Sequence, residues 1–143
     1  MEILIEDRQN RHKIAKHKIK KKAETILDAL ECPDAELSIV IVDDPAISEL
    51  NKTYLGRSGP TNVIAFPMRE GAFGQVNRHL LGDVVISLDT AAREAQDACI
   101  SVQSRFDQLL VHGILHLFGF DHDRGPEEAQ IMIGKEEQLL GLL

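Results

Sequence analysis

His112 and His116 stand four residues apart in an otherwise apolar run that stops at Gly119, and His122 follows three residues later. Residues i and i+4 of an α-helix lie one above the other, so a helix here brings both imidazoles to one point in space. A glycine just past the last periodic residue takes the left-handed conformation that turns a chain back on itself. That turn returns His122 to the same point. Three ring nitrogens about 2.0–2.1 Å from a zinc ion, with a fourth position open, form the donor set of catalytic zinc. The expected metal ligands are therefore His112, His116 and His122, holding one Zn2+ ion per chain.

The spacing is that of the long zinc-peptidase signature H-E-x-x-H-x-x-G-x-x-H, with three histidines and the glycine in register. One position departs from it. Where the signature has the glutamate that serves as general base, this chain has Gly113. Two blander readings compete: a buried helix with incidental histidines, and a closed structural zinc site with Asp121 or Asp123 as fourth ligand.

These residues need a scaffold, and the rest of the chain supplies one. Its 143 residues fit a single domain, 1–143, with enough length to bury a core. At 43% hydrophobic and 27% charged, the composition is that of a soluble globular protein. Cys32 and Cys99 are far apart and lack C-x-x-C spacing, so they read as reduced thiols of a cytoplasmic protein. The N-terminus is acidic where a signal peptide is basic, and no apolar run reaches membrane-spanning length.

The opening Met1–Asp7 alternates and predicts a strand. From His12 to Leu30 the period becomes helical, with Ile19, Ala23, Ile26, Leu27 and Leu30 on one face. The opposite face is basic. Lys13, Lys16, Lys18, Lys20, Lys21 and Lys22, with Arg8 and Arg11, make up half of the 16 positive charges of a chain whose net charge is −7. Such a run is either a solvated helix face or a local phosphate-binding surface on an otherwise acidic molecule.

Glu36–Val42 is nearly all apolar and predicts a central strand buried on both faces. A helix follows, with Asp44 as N-cap, Pro45 at its first position, and Ile47, Leu50 and Tyr54 on one side. Gly56, Ser58, Gly59 and Pro60 then mark a loop that holds Arg57, either solvated or available to bind phosphate bidentately. Asn62–Phe66 and Leu81–Ser87 predict two more strands. The segment between them, Met68–Leu80, is long enough for a mobile flap. Asp83, inside an apolar strand, is either a polar group at a bulge or a carboxylate that orients a metal-bound imidazole. Three helices close the chain: Thr90–Ala98 capped by Asp89, one capped by Ser101 that carries the histidines beside a Phe106, Leu109, Leu110, Gly113, Leu117 stripe, and Glu127–Leu140, where Ile131, Leu139 and the tail Leu142-Leu143 are available for packing. Strands and helices do not alternate strictly. The expected class is therefore α+β, a small mixed four-stranded sheet packed with about five helices, the zinc helix near the C-terminus.

HGILHLFGFDHD resembles the signature of the YbeY family, bacterial metal-dependent endoribonucleases of ribosomal RNA maturation and ribosome quality control. Leu50-Asn51-Lys52-Thr53-Tyr54, running on to Pro60-Thr61-Asn62-Val63-Ile64-Ala65-Phe66-Pro67, is similar to a second family landmark, and Leu81-Gly82-Asp83-Val84-Val85-Ile86-Ser87 to a third. They stand in the family's order and span essentially the whole chain. The family usually has arginine directly after the tyrosine and lysine two residues later, where this chain has Leu55 and Arg57.

The resemblance implies a zinc-dependent, single-strand-specific endoribonuclease acting in 16S rRNA maturation. Arg57, His112, His116 and His122 would be its catalytic residues, and ribosomal RNA and the small ribosomal subunit its partners. No DNA and no membrane partner is expected; nothing in the sequence sets an oligomeric state. A ribosome-assembly factor with a structural metal and a zinc peptidase are the competing functions. Gly113 counts against the peptidase.

Overall fold

The computed structural model describes residues 2–68 and 79–143. The Met68–Leu80 flap expectation therefore falls largely outside the described residues.

Alternation of apolar residues builds a four-stranded mixed sheet: β1 (Glu2–Asp7), β2 (Glu36–Val42), β3 (Val63–Pro67) and β4 (Leu80–Ser87), in the order β1-β2-β4-β3. β1, β2 and β4 run parallel, and β3 pairs antiparallel with β4 at the edge. The parallel pairs need crossovers. α1 (Lys16–Ala29) connects β1 to β2, and α2 (Asp44–Leu55) begins the path from β2 toward β4. Then come α3 (Leu88–Ala98), α4 (Val102–Leu117), a 3₁₀ turn at His122–Arg124 and α5 (Pro126–Leu140). This is the α+β class expected, with five α-helices among the described residues.

The two sheet faces are unequally covered. On one, Leu37, Ile39, Ile41, Val84 and Ile86 join buried residues of α1, α3, α4 and α5 in the main core. On the other, Val42, Ile64 and Val85 meet Ile47 of α2 in a smaller cluster. β2 is accordingly fully buried on one face only: Leu37, Ile39 and Ile41 are buried, whereas on the other Val42 is buried but Ser38 and Val40 are half-buried, because α2 does not cover the whole of that side. Asp83 lies on this thinner face, paired across the sheet with Ser38 and Phe66. A β-bulge does occur beside it, where the β2 register shifts between Glu36 and Leu37. Gly82 is required there: at φ +136°, a Cβ would stand 2.1 Å from the Phe66 carbonyl oxygen.

Several helix ends differ from the sequence reading by a residue or more. α1 begins at Lys16 and not His12, and His12 Nε2 instead lies 3.3 Å from Asp89 Oδ1. Asp43 caps α2 by accepting from the Ala46 N–H at 3.0 Å, which places Asp44 in the first turn. Ser87 caps α3 by accepting from Thr90 N–H, and Asp89 instead accepts from the backbone N–H of Asp44 at 3.0 Å. The two helix N-termini thus meet and exchange carboxylates, a tertiary arrangement that outbids local capping preference. In α5, Met132 is buried and Ile131 is 60% exposed, so the predicted packing residue is off by one. Leu139 is buried as expected.

Candidate metal centre

α4 positions two of the three histidines. Ser101 caps it, accepting from Ser104 N–H at 3.0 Å, and Phe106, Leu109, Leu110, Gly113 and Leu117 are buried against the sheet. His112 and His116 stand half-buried beside that stripe. Gly113 lets the helix lie directly on β3 and β4: an added Cβ would come within 2.6 Å of Val84 Cγ1 and 3.1 Å of Val63 Cγ2. A glutamate at 113 would have to displace a buried valine, so the helix cannot carry the peptidase base there without moving off the sheet.

The helix ends in a Schellman turn. Gly119, at φ +93°, donates its N–H to the His116 carbonyl at 3.0 Å, and Phe120 donates to the Leu115 carbonyl at 3.1 Å. Asp121 then caps the 3₁₀ turn that begins with His122. The reversal brings one ring nitrogen of each of His112, His116 and His122 within 4.8 Å of the others. Nε2 of His112 and Nε2 of His116 are 3.1 Å apart. Two ligands about 2.0–2.1 Å from one tetrahedral ion stand roughly 3.3 Å apart, so this pair already has the separation that a shared ion imposes. The donor set fits a divalent metal. Asp121, His122 and Asp123 form a second such grouping, but Asp121 accepts from the Asp123 N–H at 2.9 Å and its other oxygen lies 3.6 Å from Arg124 Nε.

Burial holds the His112 pKa below its ordinary 6.5, helped by the positive charges of His122 and Arg105, and burial together with His112 does the same for His116. Both are thereby favoured in the neutral form a metal ligand needs. The Asp123 backbone N–H keeps the Asp121 carboxyl below its ordinary value, so it is an anion at neutral pH.

The histidines open on a cleft of about 440 Å³ whose wall includes Arg57, Asn62, Asp121 and Arg124. Arg57 is exposed and follows Gly56, the left-handed cap of α2 at φ +65°. Asn51 fastens the loop by donating from Nδ2 to the Gly59 carbonyl at 3.0 Å. The structure therefore brings Arg57 to the cleft that holds the histidines. Asp83 is elsewhere: it faces away from α4, on the α2 side of β4, and does not orient these imidazoles. Sequence reasoning passed over two neighbours of the site. Arg124 lines the same cleft, and Glu136 of α5 places Oε1 3.5 Å from His112 Nδ1. Arg124 carried a local signal, its closeness to His122 in sequence. Glu136 carried none, being one acidic residue among several on α5.

A family model described as Endoribonuclease YbeY matches residues 4–143 of this chain. Curated proteins described by the same words are similar over nearly full length. One from Geobacter sulfurreducens is 52% identical, covering 100% of this chain and 96% of its own. One from Syntrophotalea carbinolica is 51% identical, covering 96% and 92%. One from Aquifex aeolicus is 46% identical, covering 93% and 87%. Among solved structures, a solution structure of a Thermotoga maritima protein shares the fold at TM-score 0.70 and 22% identity, covering 98% of this chain and 87% of that one.

Proposed function

Because the chain belongs to the YbeY family of endoribonucleases, we propose that it is a zinc-dependent hydrolase that cleaves single-stranded RNA, with 16S ribosomal RNA in the small subunit as substrate and a role in ribosome quality control. The carrying observation is the convergence of three imidazole nitrogens on a cleft that two guanidinium groups also line. No helix among the described residues is long and apolar enough to cross a membrane.

His112, His116 and His122 would hold the ion, their Nε2 or Nδ1 lone pairs directed at one point. When bound, zinc supplies Lewis acidity toward a phosphoryl oxygen. Arg57 would clamp the scissile phosphate, and the planar guanidinium suits two of its oxygens at once. Leu55 stands where the family's arginine usually is and also lines the cleft, so the phosphate-binding role would shift to Arg57, with Arg124 in the same lining. Gly113 offers no base. Asp121 and Asp123 are the carboxylates on the cleft wall, and either would accept the proton. Steric conflict at Gly113 argues against a peptidase of the H-E-x-x-H type.

The deciding experiment is cleavage of small-subunit ribosomal RNA by zinc-loaded protein beside a His116→Ala variant whose fold is checked by circular dichroism. Wild type should cut and the folded variant should not. Equal cleavage by both would overturn the catalytic reading. Early melting of His116→Ala, with no cleavage by wild type, would favour an assembly factor with a structural metal.

A further inference from the structure

The two ring nitrogens of His112 serve opposite sides. Nε2 points toward the converging cluster, 3.1 Å from Nε2 of His116. Nδ1, across the ring, lies 3.5 Å from Oε1 of Glu136. Resting on the metal-centre reading, we infer that Glu136 is a positioning residue whose carboxylate accepts the Nδ1 proton of His112, fixing the tautomer that leaves the Nε2 lone pair for the metal.

Histidines that bind metals commonly donate their other N–H to a carboxylate, which sets ring orientation and raises ligand basicity. The surroundings favour Glu136 for that role. The His112 and Glu136 side chains are 26% and 25% exposed, so their contact is only partly open to bulk water. Arg105 supplies a guanidinium to the same cavity of about 460 Å³ that His112 and Glu136 line. Arg105 is already engaged, its Nε on Glu94 Oε1 at 3.1 Å and a terminal nitrogen on Gln108 Oε1 at 2.6 Å. Among the described residues Asp121 and Asp123 also stand beside a cluster histidine; Asp121 already accepts from the Asp123 N–H at 2.9 Å, and Asp123, 3.4 Å from His122 Nε2, has a side chain that is 82% exposed and so poorly suited to holding a ring. At 3.5 Å the pair stands a few tenths of an ångström beyond hydrogen-bond length, and that is the gap the bond would close.

The test compares wild type with Glu136→Ala and Glu136→Gln. Zinc affinity is read by competition with a chromophoric chelator, and the His112 tautomer of metal-free protein by long-range nitrogen–proton NMR. Glu136→Ala should weaken zinc binding about 10–100-fold, and wild-type His112 should carry its proton on Nδ1, a preference lost in the alanine variant. Glu136→Gln keeps an acceptor without the charge and should fall between the two. It also keeps the side-chain shape, so it carries the test should the alanine variant unfold. Equal zinc affinity in all folded variants, or an unchanged His112 tautomer in Glu136→Ala, would overturn the role of Glu136 while leaving the metal centre standing. Failure of wild type to bind zinc would overturn both.

Discussion

Adding one methyl group at Gly113 would place it 2.6 Å from Cγ1 of Val84, a fully buried, β-branched residue that cannot swing aside. Gly113→Ala should therefore destabilise the protein by about 1–3 kcal/mol, read as a fall in the urea midpoint at constant slope. An unchanged midpoint would mean that α4 has freedom to lift from the sheet, and the packing reason for glycine would fall. Legibility in the sequence also varied residue by residue. The three histidines were readable because helical spacing and a terminal glycine are local signals. Glu136 was not, because its meeting with His112 depends on how α5 docks against α4, and nothing local separates it from neighbouring Glu127, Glu128 and Glu137. Asp83 illustrates the converse. Its position in an apolar strand drew notice, but strand alternation sends it to the face away from α4.

At the scale of elements, the C-terminal turn of α4 decides whether two histidines become three. Gly119 holds φ +93° with open space where a Cβ would go, so Gly119→Ala meets a backbone penalty and no clash. It should lower stability by about 1–2 kcal/mol and weaken zinc binding as well, since the same turn delivers His122. A variant that lost stability but bound zinc as wild type does would show that His122 is placed by other contacts. The paired N-termini of α2 and α3 give a pH prediction. Burial raises the Asp44 carboxyl, but hydrogen bonds from Thr90, Arg93 and Ser87 outweigh it and hold the pKa below the ordinary 3.8. A depressed carboxylate contributes its stability in full above 3.8 and loses it as pH falls through the lower folded value. Asp44→Asn should lose that contribution at neutral pH and show a shallower fall of the urea midpoint on acidification. Identical acid limbs would assign the loss to other groups. The sequence pointed to capping carboxylates at both helix starts, yet Asp43 and Asp44 are equally able to cap, and only the meeting with Ser87, Thr90 and Arg93 distinguishes them.

Across the whole molecule, a net charge of −7 must coexist with a polyanionic substrate, and the positive charge is unevenly placed. Part of the basic segment is internally engaged: Lys22 pairs with Asp107 at 2.8 Å, Arg8 with Glu6 at 2.6 Å, and Arg11 lies 3.7 Å from Asp89. Lys13, Lys16, Lys18, Lys20 and Lys21 remain exposed along and before α1. α1 packs into the main core together with α4, and the Lys22–Asp107 pair joins the two helices, so this basic surface and the histidine cleft are built on adjoining elements. If single-stranded RNA runs over both, each lysine that meets a phosphate releases counterions, and the logarithm of affinity falls with the logarithm of salt by about 0.7 per contact. Replacing Lys16, Lys20 and Lys21 together by glutamine should then make the salt slope of RNA binding shallower by about 2, with zinc affinity and fold unchanged. A slope equal to that of wild type would make these lysines a solvated helix face, leaving Arg57 and Arg124 in the cleft to carry phosphate recognition.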